Sequence, residues 1–431
     1  MKILVLLKNA GIEQSTAFIE VIKALVEKKN KIHIVIGNQA DDYVREEYYY
    51  NEPNIEIEVL NTVKNRESKI ESLKKIIRKW GVLEKICENV LLLIERIIFR
   101  VREKKIDDKN KFAFDEFLNS SMQDYIVKDE YDYIWTIDEY GLLWAEWINQ
   151  KYHKKFKLVY YCLELYWEHF SLPEKKKWKY FKEYVLFEKA REVLLKVSII
   201  IIQDEPRWKV LCQYTGIDND SDKILLPVSI KNYEKKLMGN LHDRLGINAE
   251  KKIIFYPTLI APKRGCIELT QMVEHLEDRF VTVIHGFASI KGFADKLGEN
   301  ISTSKIIISN TTFGYQELVD MHQDVWCVFL YYGENDNNDK YIANSSNKLA
   351  MSLQAGKPII TIGNRMLAEL CEEYECGKAL MKWSEEEFAE VVHDIEENYD
   401  LYCKNARKCY KEKYDIGLYK EAMYSALLER C

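Results

Sequence analysis

The sequence is short of the residues that break regular structure: its 431 residues include only 7 prolines and 17 glycines. It is not short of apolar residues, which make up 47%, and charged residues make up 31%. This composition excludes a collagen-like, low-complexity or disordered chain, and the length predicts two or three domains. No apolar run approaches the roughly 18 residues of a membrane-spanning helix, because charged residues interrupt the longest candidates, 90–94 and 198–202.

The sequence also lacks the cysteine spacing of a zinc site or a disulfide framework. No Cys-x-x-Cys pair occurs among the ten cysteines, and the nearest pairs, Cys371/Cys376 and Cys403/Cys409, have no histidine at ligand spacing. The N-terminus runs directly into the apolar segment 3–7, without a basic leader or a small-residue cleavage site. We therefore expect reduced thiols and a location in the cytoplasm or on the cytoplasmic face of a membrane.

Apolar runs alternate with helical patterns along most of the chain. Unbroken apolar runs are typical of buried parallel strands, and the helical patterns between them predict helices on both faces of a sheet. Because the pattern restarts after Pro227, we predict an α/β chain of two doubly wound Rossmann-like domains, 1–228 and 229–411, with a C-terminal helix in 412–431 that packs back on the first. Ligands of such sheets bind at the carboxyl ends of the strands, which predicts a cleft between the domains. Strands are predicted at 3–7, 31–36, 55–60, 131–137, 156–162, 198–202, 253–256, 280–284, 305–309, 325–330 and 358–362.

One segment of the second predicted domain carries a specific motif. Residues 345–360 read Ser-Ser-Asn-Lys-Leu-Ala-Met-Ser-Leu-Gln-Ala-Gly-Lys-Pro-Ile-Ile. This segment resembles the donor-site segment of GT-B glycosyltransferases of the bacterial polysaccharide-building, family 4-like kind. The strand 324–330 and the turn 313–318 are also similar to that family, as are the strand ends at 133–138 and 160–166. The resemblance implies a GT-B fold and transfer of a sugar from a nucleotide-diphosphate donor to a surface-glycan acceptor.

The resemblance implies that the second domain binds the donor, and the residue chemistry agrees. Lys348 lies near a predicted helix start, where an ammonium and free backbone N–H groups together suit a diphosphate. Arg264 could bind the same diphosphate through two N–H groups. The motif residues 345–347 can donate to phosphate oxygens, although helix capping alone also explains them. The predicted donor-binding residues are Lys263, Arg264, Gly265, His285, Gly286, Ser345, Ser346, Asn347, Lys348 and Glu369.

The sequence departs from the family at positions that bear on donor recognition. Many retaining members carry two glutamates eight positions apart, and here Ala343 and Met351 occupy the corresponding positions. The arginine that often follows the first strand of the second domain is replaced by the Thr-Leu pair at 258–259. Ribose recognition must then fall to other groups, with Asn347 and Glu369 as candidates, and retention or inversion stays open. Two alternatives also stay open: a non-catalytic glycosyltransferase-like subunit, and a nucleotide-sugar epimerase on the same fold.

Two carboxylates of the first domain are candidates for a general base. Asp138 and Glu164 follow predicted strand ends, where an acceptor hydroxyl would enter, and a base must lie within hydrogen-bond reach of that hydroxyl. The acidic segments 336–339 and 218–222 look like metal-binding loops, but we interpret them as exposed turns, because GT-B enzymes need no bound metal to neutralise the diphosphate. We therefore predict no metal site and no cofactor, with the nucleotide sugar as a substrate.

Positive charge is concentrated in two stretches of the first domain, although the whole chain carries a net charge of -6. Residues 64–105 contain 13 basic and 6 acidic residues, and residues 174–196 contain 8 and 4. The first stretch is amphipathic and the second interleaves lysines with aromatic residues. Both patterns favour peripheral contact with an anionic, cytoplasmic membrane surface and a lipid-linked acceptor, and a solvated helix face is the alternative. Nucleic acid is not an expected partner, because the chain is acidic overall.

Overall fold

The computed structural model of this chain describes residues 1–9, 15–38, 49, 51–59, 93, 97, 130–137, 139–170, 181–233, 241–299 and 305–429. Within these residues the chain forms two parallel sheets, each packed against helices. This arrangement confirms the predicted fold class of two doubly wound α/β units, which we call the first and second domains. The predicted base Asp138, nearly all of the basic stretch 64–105, and the part of the second basic stretch at 174–180 lie outside the described residues.

The first sheet has seven strands in the described residues, and all neighbouring strands pair in parallel. Its central strands are apolar on both faces because helices cover both sides, and the four isoleucines of 199–202 are at most 4% exposed. In chain order the strands are β1 Lys2–Asn9, β2 Lys31–Asn38, β3 Ile55–Val59, β4 Tyr133–Thr136, β5 Lys157–Tyr161, β6 Ile199–Ile202 and β7 Lys223–Leu225, and their order across the sheet is β3-β2-β1-β4-β5-β6-β7.

The second sheet has six described strands, again all parallel. Its order reverses direction next to its first strand, which is the topological switch point where doubly wound sheets open a ligand crevice. The corresponding point of the first sheet lies between β1 and β4. In chain order the strands are β8 Lys252–Pro257, β9 Phe280–Gly286, β10 Ile306–Asn310, β11 Cys327–Tyr331, β12 Ile359–Ile362 and β13 Gly377–Leu380, and their order is β10-β9-β8-β11-β12-β13.

Local capping determines where several helices begin. The Ser15 hydroxyl accepts a hydrogen bond from the Phe18 N–H, and the Asp204 carboxylate accepts one from the Arg207 N–H at 2.8 Å. The described helices are α1 Thr16–Glu27, α2 Glu139–Lys151, α3 Phe181–Leu194, α4 Glu205–Thr215, α5 Leu241–Leu245, α6 Cys266–Met272, α7 Phe293–Glu299, α8 Tyr315–Asp324, α9 Asn337–Lys340, α10 Asn347–Gln354, α11 Arg365–Tyr374, α12 Glu385–Glu397, α13 Tyr399–Cys409 and α14 Lys420–Glu429.

The C-terminal part of the chain returns to the first domain. After α13, a π-helical turn at Tyr410–Tyr414 leads to a parallel bridge between Ile230 and Asp415. Helix α14 then packs against α1, and the Leu427 carbonyl accepts a hydrogen bond from the Tyr133 hydroxyl at 2.5 Å. The C-terminal helix begins at Lys420, later than the start of the predicted segment 412–431. The residues before it form turns that take the chain from the second domain to the first.

No helix among the described residues is long and apolar enough to span a membrane. The eight cysteines in these parts of the chain are all free thiols, and seven of them are buried. Burial raises the pKa of Cys162 to about 12, so this thiol stays protonated near neutral pH.

Candidate functional site

A cavity of about 220 Å³ lies between the two domains. Its first-domain wall comes mainly from residues that follow β4 and β5 and from the start of α1, and its second-domain wall from the segment at the start of α10. Ligands of doubly wound sheets bind at the carboxyl ends of the strands, so this cavity is the candidate functional site. The residues that line it are Ser15, Ala17, Ile137, Glu139, Leu163, Glu164, Tyr166, Val228, Ser345 and Asn347.

A larger depression of about 300 Å³ lies at the opposite, amino-terminal edge of the first sheet. Two of its polar side chains already have hydrogen-bond partners: Lys196 donates to Glu146 at 3.1 Å, and the Asn149 amide bonds to both the N–H and the carbonyl of Phe156. We favour the inter-domain cavity because the strand ends converge there and its polar groups come from both domains.

Helix α10 begins at the cavity wall, and Ser346 is its N-cap. The Ser346 Oγ accepts a hydrogen bond from the Leu349 N–H at 3.1 Å and lies 2.9 Å from the Tyr332 hydroxyl. Ser346 is only 2% exposed, so its hydroxyl supports the helix start rather than facing the cavity. The structure thus shows the capping contact of this serine, and donation to a phosphate oxygen stays a prediction.

The two motif residues that line the cavity both bond to the first domain. The Asn347 Oδ1 accepts a hydrogen bond from the Ala17 N–H at 3.2 Å. The Ser345 Oγ accepts one from Arg207 Nη1 at 3.1 Å and donates to the Tyr341 carbonyl at 3.1 Å. The start of the motif is therefore held against the first domain from both sides of the N-cap.

Lys348 is a half-buried cation on the first turn of α10. Among the described residues no carboxylate lies within 4.0 Å of its Nζ, which sits 5.6 Å from the centre of the Tyr332 ring. Burial, together with the nearby Arg264 guanidinium, lowers the pKa of Lys348 to about 8, so the ammonium is poorly stabilised. An anion beside it would supply the missing counter-charge.

Arg264 already has an anionic partner. Its Nη1 lies 3.0 and 3.1 Å from the two carboxylate oxygens of Asp339. Asp339 belongs to α9, whose N-cap is Asp336, and residues 336–339 are half-buried, so the expectation of an exposed turn is wrong for this segment. No group of three or more potential metal-ligating side chains occurs among the described residues.

At two predicted donor-site positions, the backbone conformation and close packing require glycine. Gly265 has φ +66°, and a Cβ there would lie 2.6 Å from the Trp383 ring. Gly286 has φ +150°, and a Cβ there would lie 1.9 Å from the Thr258 carbonyl oxygen. Both positions therefore require glycine because the chain packs closely, whether or not a ligand is present.

Three further predicted donor residues do not line the cavity. Lys263 is exposed, and Glu369 is exposed and pairs with Arg365 at 2.7 Å. His285 is 4% exposed, stacks on Phe313 with 4.6 Å between ring centres, and shares a 3.0 Å hydrogen bond with Ser309. Burial lowers the pKa of His285 to about 4, so the ring is neutral near pH 7.

Of the two predicted bases, Glu164 lies at the cavity and Asp138 is outside the described residues. Glu164 is exposed to solvent at the cavity. The protein around its carboxylate nevertheless removes part of its hydration, and this desolvation raises the pKa of Glu164. The positive charge of Arg207 acts in the opposite direction, and the negative charges of Asp336 and Asp339 add to the rise. A carboxyl group with a raised pKa at a cleft wall has the character of a general base.

Several residues of the site were not predicted from the sequence. Glu139 lines the cavity, is 6% exposed, and accepts a hydrogen bond from the Tyr160 hydroxyl at 3.3 Å. Tyr166 contributes a 46% exposed aromatic ring to the same wall. Arg207 donates hydrogen bonds to one residue of each wall, Leu163 and Ser345. The only available signal was position, since Glu139 directly follows Asp138 and Tyr166 is two residues after Glu164.

Comparison with known proteins identifies the architecture. No protein-family model matches this sequence, and no curated protein matches it either. Solved structures do match over nearly the whole chain. HepE from Anabaena in complex with UDP and glucose has a TM-score of 0.61 at 13% identity and covers 100% of both chains. WaaG, a glycosyltransferase involved in lipopolysaccharide biosynthesis, has a TM-score of 0.59 at 11% identity over 98% of both chains.

The chain has the GT-B glycosyltransferase fold. Sucrose-phosphate synthase from Thermosynechococcus elongatus shares it, with a TM-score of 0.61 at 11% identity over 100% of this chain and 99% of that one. The predicted GT-B resemblance is thus confirmed for the fold. Within this GT-B chain the two positions of the absent glutamate pair, Ala343 and Met351, are each 4% exposed and belong to the apolar core.

Proposed function

We propose that this chain is a glycosyltransferase that moves a sugar from a nucleotide-diphosphate donor to an acceptor hydroxyl. The observation that carries the proposal is Lys348: a half-buried ammonium without a carboxylate partner among the described residues, at the start of a helix beside the cleft of a GT-B fold. A helix start and an unpaired cation together suit the diphosphate. The HepE structure that contains UDP and glucose supports the same class of donor.

The roles of the residues follow from their positions. Lys348 and the backbone N–H groups at the start of α10 would neutralise the charge that develops on the leaving diphosphate. Arg264 would join them only after separating from Asp339. Glu164, on the opposite wall, would accept the proton of the acceptor hydroxyl, and the Tyr166 ring would contact the acceptor sugar.

Donor binding is tested by calorimetric titration of the intact protein with UDP, GDP, ADP and CMP. We expect one of them to bind, and Lys348→Ala to weaken that binding by about 1.5–3 kcal/mol, the range for hydrogen bonds to charged groups. Lys404→Ala, which removes an exposed lysine of α13 in the same domain, is the matched control and should leave the affinity unchanged. If no nucleotide binds at millimolar concentration, the proposal fails.

A non-catalytic, donor-binding subunit is the second candidate. Two observations favour it: the residues at 343 and 351 are apolar, and Arg264, which could neutralise the donor diphosphate, is already paired with Asp339. Turnover separates the candidates: transfer that depends on Glu164 and Lys348 indicates the enzyme, whereas binding without transfer or hydrolysis indicates the subunit. Conversion of the donor alone into an isomer would instead indicate an epimerase.

We further propose a lipid-linked acceptor and peripheral attachment to the cytoplasmic leaflet, supported by the basic stretches 64–105 and 174–196. Flotation with anionic vesicles tests this, since binding should be present at low salt and lost near 1 M salt, where the Debye length falls to about 3 Å. Replacing the lysines at 175, 176, 177 and 179 with glutamate should abolish flotation if the second stretch is the contact. Unchanged flotation would leave that stretch as a solvated face and favour a soluble acceptor.

The same proposal includes metal-independent transfer. Its support is Lys348, joined by Arg264 once that side chain has separated from Asp339, since two cations can take the charge-neutralising role of a metal ion. Turnover with the responding donor should be unchanged by EDTA and by added Mg²⁺ or Mn²⁺. Loss of turnover in EDTA that is restored by a divalent cation would reject this part of the proposal.

A further inference from the structure

Arg207 is a buried cation at the junction of the two domains. It lies near the start of α4 and is 1% exposed, and its guanidinium has no carboxylate within 4.0 Å among the described residues. Its Nε is buried without a hydrogen-bond partner in this part of the chain. A guanidinium buried without an ion pair is costly unless its hydrogen bonds compensate, so the partners of its other two nitrogens indicate what it does.

Those two nitrogens bind both walls of the cavity. Nη2 donates to the Leu163 carbonyl at 2.8 Å, directly before the proposed base, and Nη1 donates to the Ser345 Oγ at 3.1 Å. Nη2 also lies 3.3 Å from the Asn338 Oδ1, which accepts a hydrogen bond from the Leu165 N–H at 2.7 Å. One planar group therefore connects the end of β5 in the first domain with the segment that precedes α10 in the second.

The start of α4 supports this connection at a second point. The Asp204 carboxylate accepts from the Arg207 N–H at 2.8 Å with one oxygen and from the Asn344 side chain at 3.0 Å with the other. The Asn344 carbonyl in turn accepts from the Val228 N–H at 2.8 Å. The turn before the donor helix is thus bound to the first domain through both its side chains and its backbone.

We propose that Arg207 is a positioning residue that fixes the distance between the Leu163–Glu164 corner and Ser345, and thereby sets where helix α10 presents Lys348. Ser345 directly precedes the N-cap Ser346, so a shift of Ser345 moves the start of the helix and the ammonium on its first turn. The identity of the ligand, a nucleoside diphosphate, rests on the proposed function, whereas the link between the walls does not. Lysine cannot replace Arg207 in this role, because an ammonium is a point charge and cannot span two walls in a planar fork.

The test is a double-mutant cycle on the full chain with Arg207→Met, Ser345→Ala and the double variant, using UDP or whichever nucleotide binds the wild type as the probe. We expect Arg207→Met to weaken binding by about tenfold or more, as for lost hydrogen bonds to a charged group. The double variant should bind no more weakly than Arg207→Met, because both changes break the same link. Arg191→Met is the matched control: Arg191 lies in the same domain, pairs with Glu188 at 3.1 Å and should leave the affinity unchanged.

Two further measurements keep the result interpretable. Arg207→Lys retains the charge and should fold if Arg207→Met does not, and we expect it to fail in restoring nucleotide affinity. The same cycle is measured by urea unfolding without any nucleotide, and the changes in the free energy of unfolding should also be non-additive. If the wild type binds no nucleotide, the proposed function is rejected, but the unfolding cycle still tests the link between the walls. Multiplicative losses of affinity, additive unfolding energies, or normal nucleotide affinity in a folded Arg207→Met variant would each overturn the inference.

Discussion

The buried carboxylate of Glu20, in helix α1 of the first domain, accepts a hydrogen bond from the Tyr315 hydroxyl of the second domain at 2.8 Å. The same oxygen accepts from the Tyr233 hydroxyl at 2.6 Å and lies 3.2 Å from the Lys23 ammonium. The other oxygen accepts from the Lys231 N–H at 2.9 Å. Both domains and the segment that joins them therefore meet at one carboxylate.

We predict that Glu20→Gln lowers the free energy of unfolding by about 1.5–3 kcal/mol, because the neutral amide loses charge-assisted hydrogen bonds and turns an N–H donor toward other donors. Urea unfolding at neutral pH measures the change. Glu27→Gln is the control on the same helix, since Glu27 is 42% exposed and pairs with Lys231 and Lys420 at 3.0 Å. Glu27→Gln should lower the free energy of unfolding by less than about 1 kcal/mol. Equal losses for the two variants would contradict a special role for Glu20.

The affinity for UDP, or for the nucleotide that binds, should depend on pH through Lys348. Because burial lowers the pKa of Lys348 to about 8, this side chain loses its positive charge as the pH rises through 8. A diphosphate binds the ammonium rather than the amine, so the dissociation constant should rise by up to about tenfold for each pH unit above 8. Titrations between pH 7 and 9.5 test this. In Lys348→Met the affinity should be lower at pH 7 and nearly constant over that range, and a constant wild-type affinity would exclude this cation from the site.

Removing the acidic partner of Arg264 should strengthen nucleotide binding rather than weaken it. Asp339→Asn should free Arg264 for the diphosphate and tighten nucleotide binding, by about 1 kcal/mol if one partly screened pair is exchanged for another. The variant Arg264→Gln should weaken binding. Tighter binding in the first and weaker binding in the second, by calorimetry, would identify Asp339 as a competitor for the donor. Weaker binding in both would instead mean that the ion pair supports the site as a structural unit.

The sequence predicted every described strand except β7 and β13, each of which lies at one edge of its sheet. Segments such as 199–202 are continuous apolar runs because helices cover both sides of the sheet. β7 has three residues that are half-buried or exposed, and β13 contains a glycine and an exposed lysine. These two strands contain too few consecutive apolar residues to form a recognisable run, whereas the other two edge strands, β3 and β10, are rich in isoleucine and were predicted.

Features of the candidate site could be predicted from the sequence where they depend on neighbouring residues, and could not where they depend on contacts between distant residues. The helix start near Lys348 and its cap follow from consecutive residues, and the structure has a helix at Asn347–Gln354 with Ser346 as its N-cap. The role of Arg207 depends on Ser345, which is 138 residues away in sequence, and that of Asp339 on Arg264, 75 residues away. His285 is the converse case, because its strand-end position predicted contact with the ligand, whereas the fold buries its ring between aromatic neighbours.

The buried, neutral His285 should make the folded state sensitive to acid. Its pKa is lowered by burial to about 4, against an ordinary value of 6.5. Between pH 6.5 and 4 the unfolded chain therefore binds a proton that the folded chain does not, and stability falls as the pH falls through this window, by up to about 3 kcal/mol. His285→Phe keeps an aromatic ring between Phe255 and Phe313 and removes the titrating group.

Urea unfolding at pH 7 and pH 4.5, for the wild type and His285→Phe, isolates this contribution. His322 is also buried, which lowers its pKa to about 4, and it is present in both proteins, so the effect of its burial cancels in the comparison. The loss of stability between the two pH values should be smaller in the variant, and nucleotide affinity at pH 7 should change less than in Lys348→Ala. An unchanged pH dependence together with a large loss of nucleotide affinity would show that His285 contacts the donor after all, and that the packing seen here opens when the ligand binds.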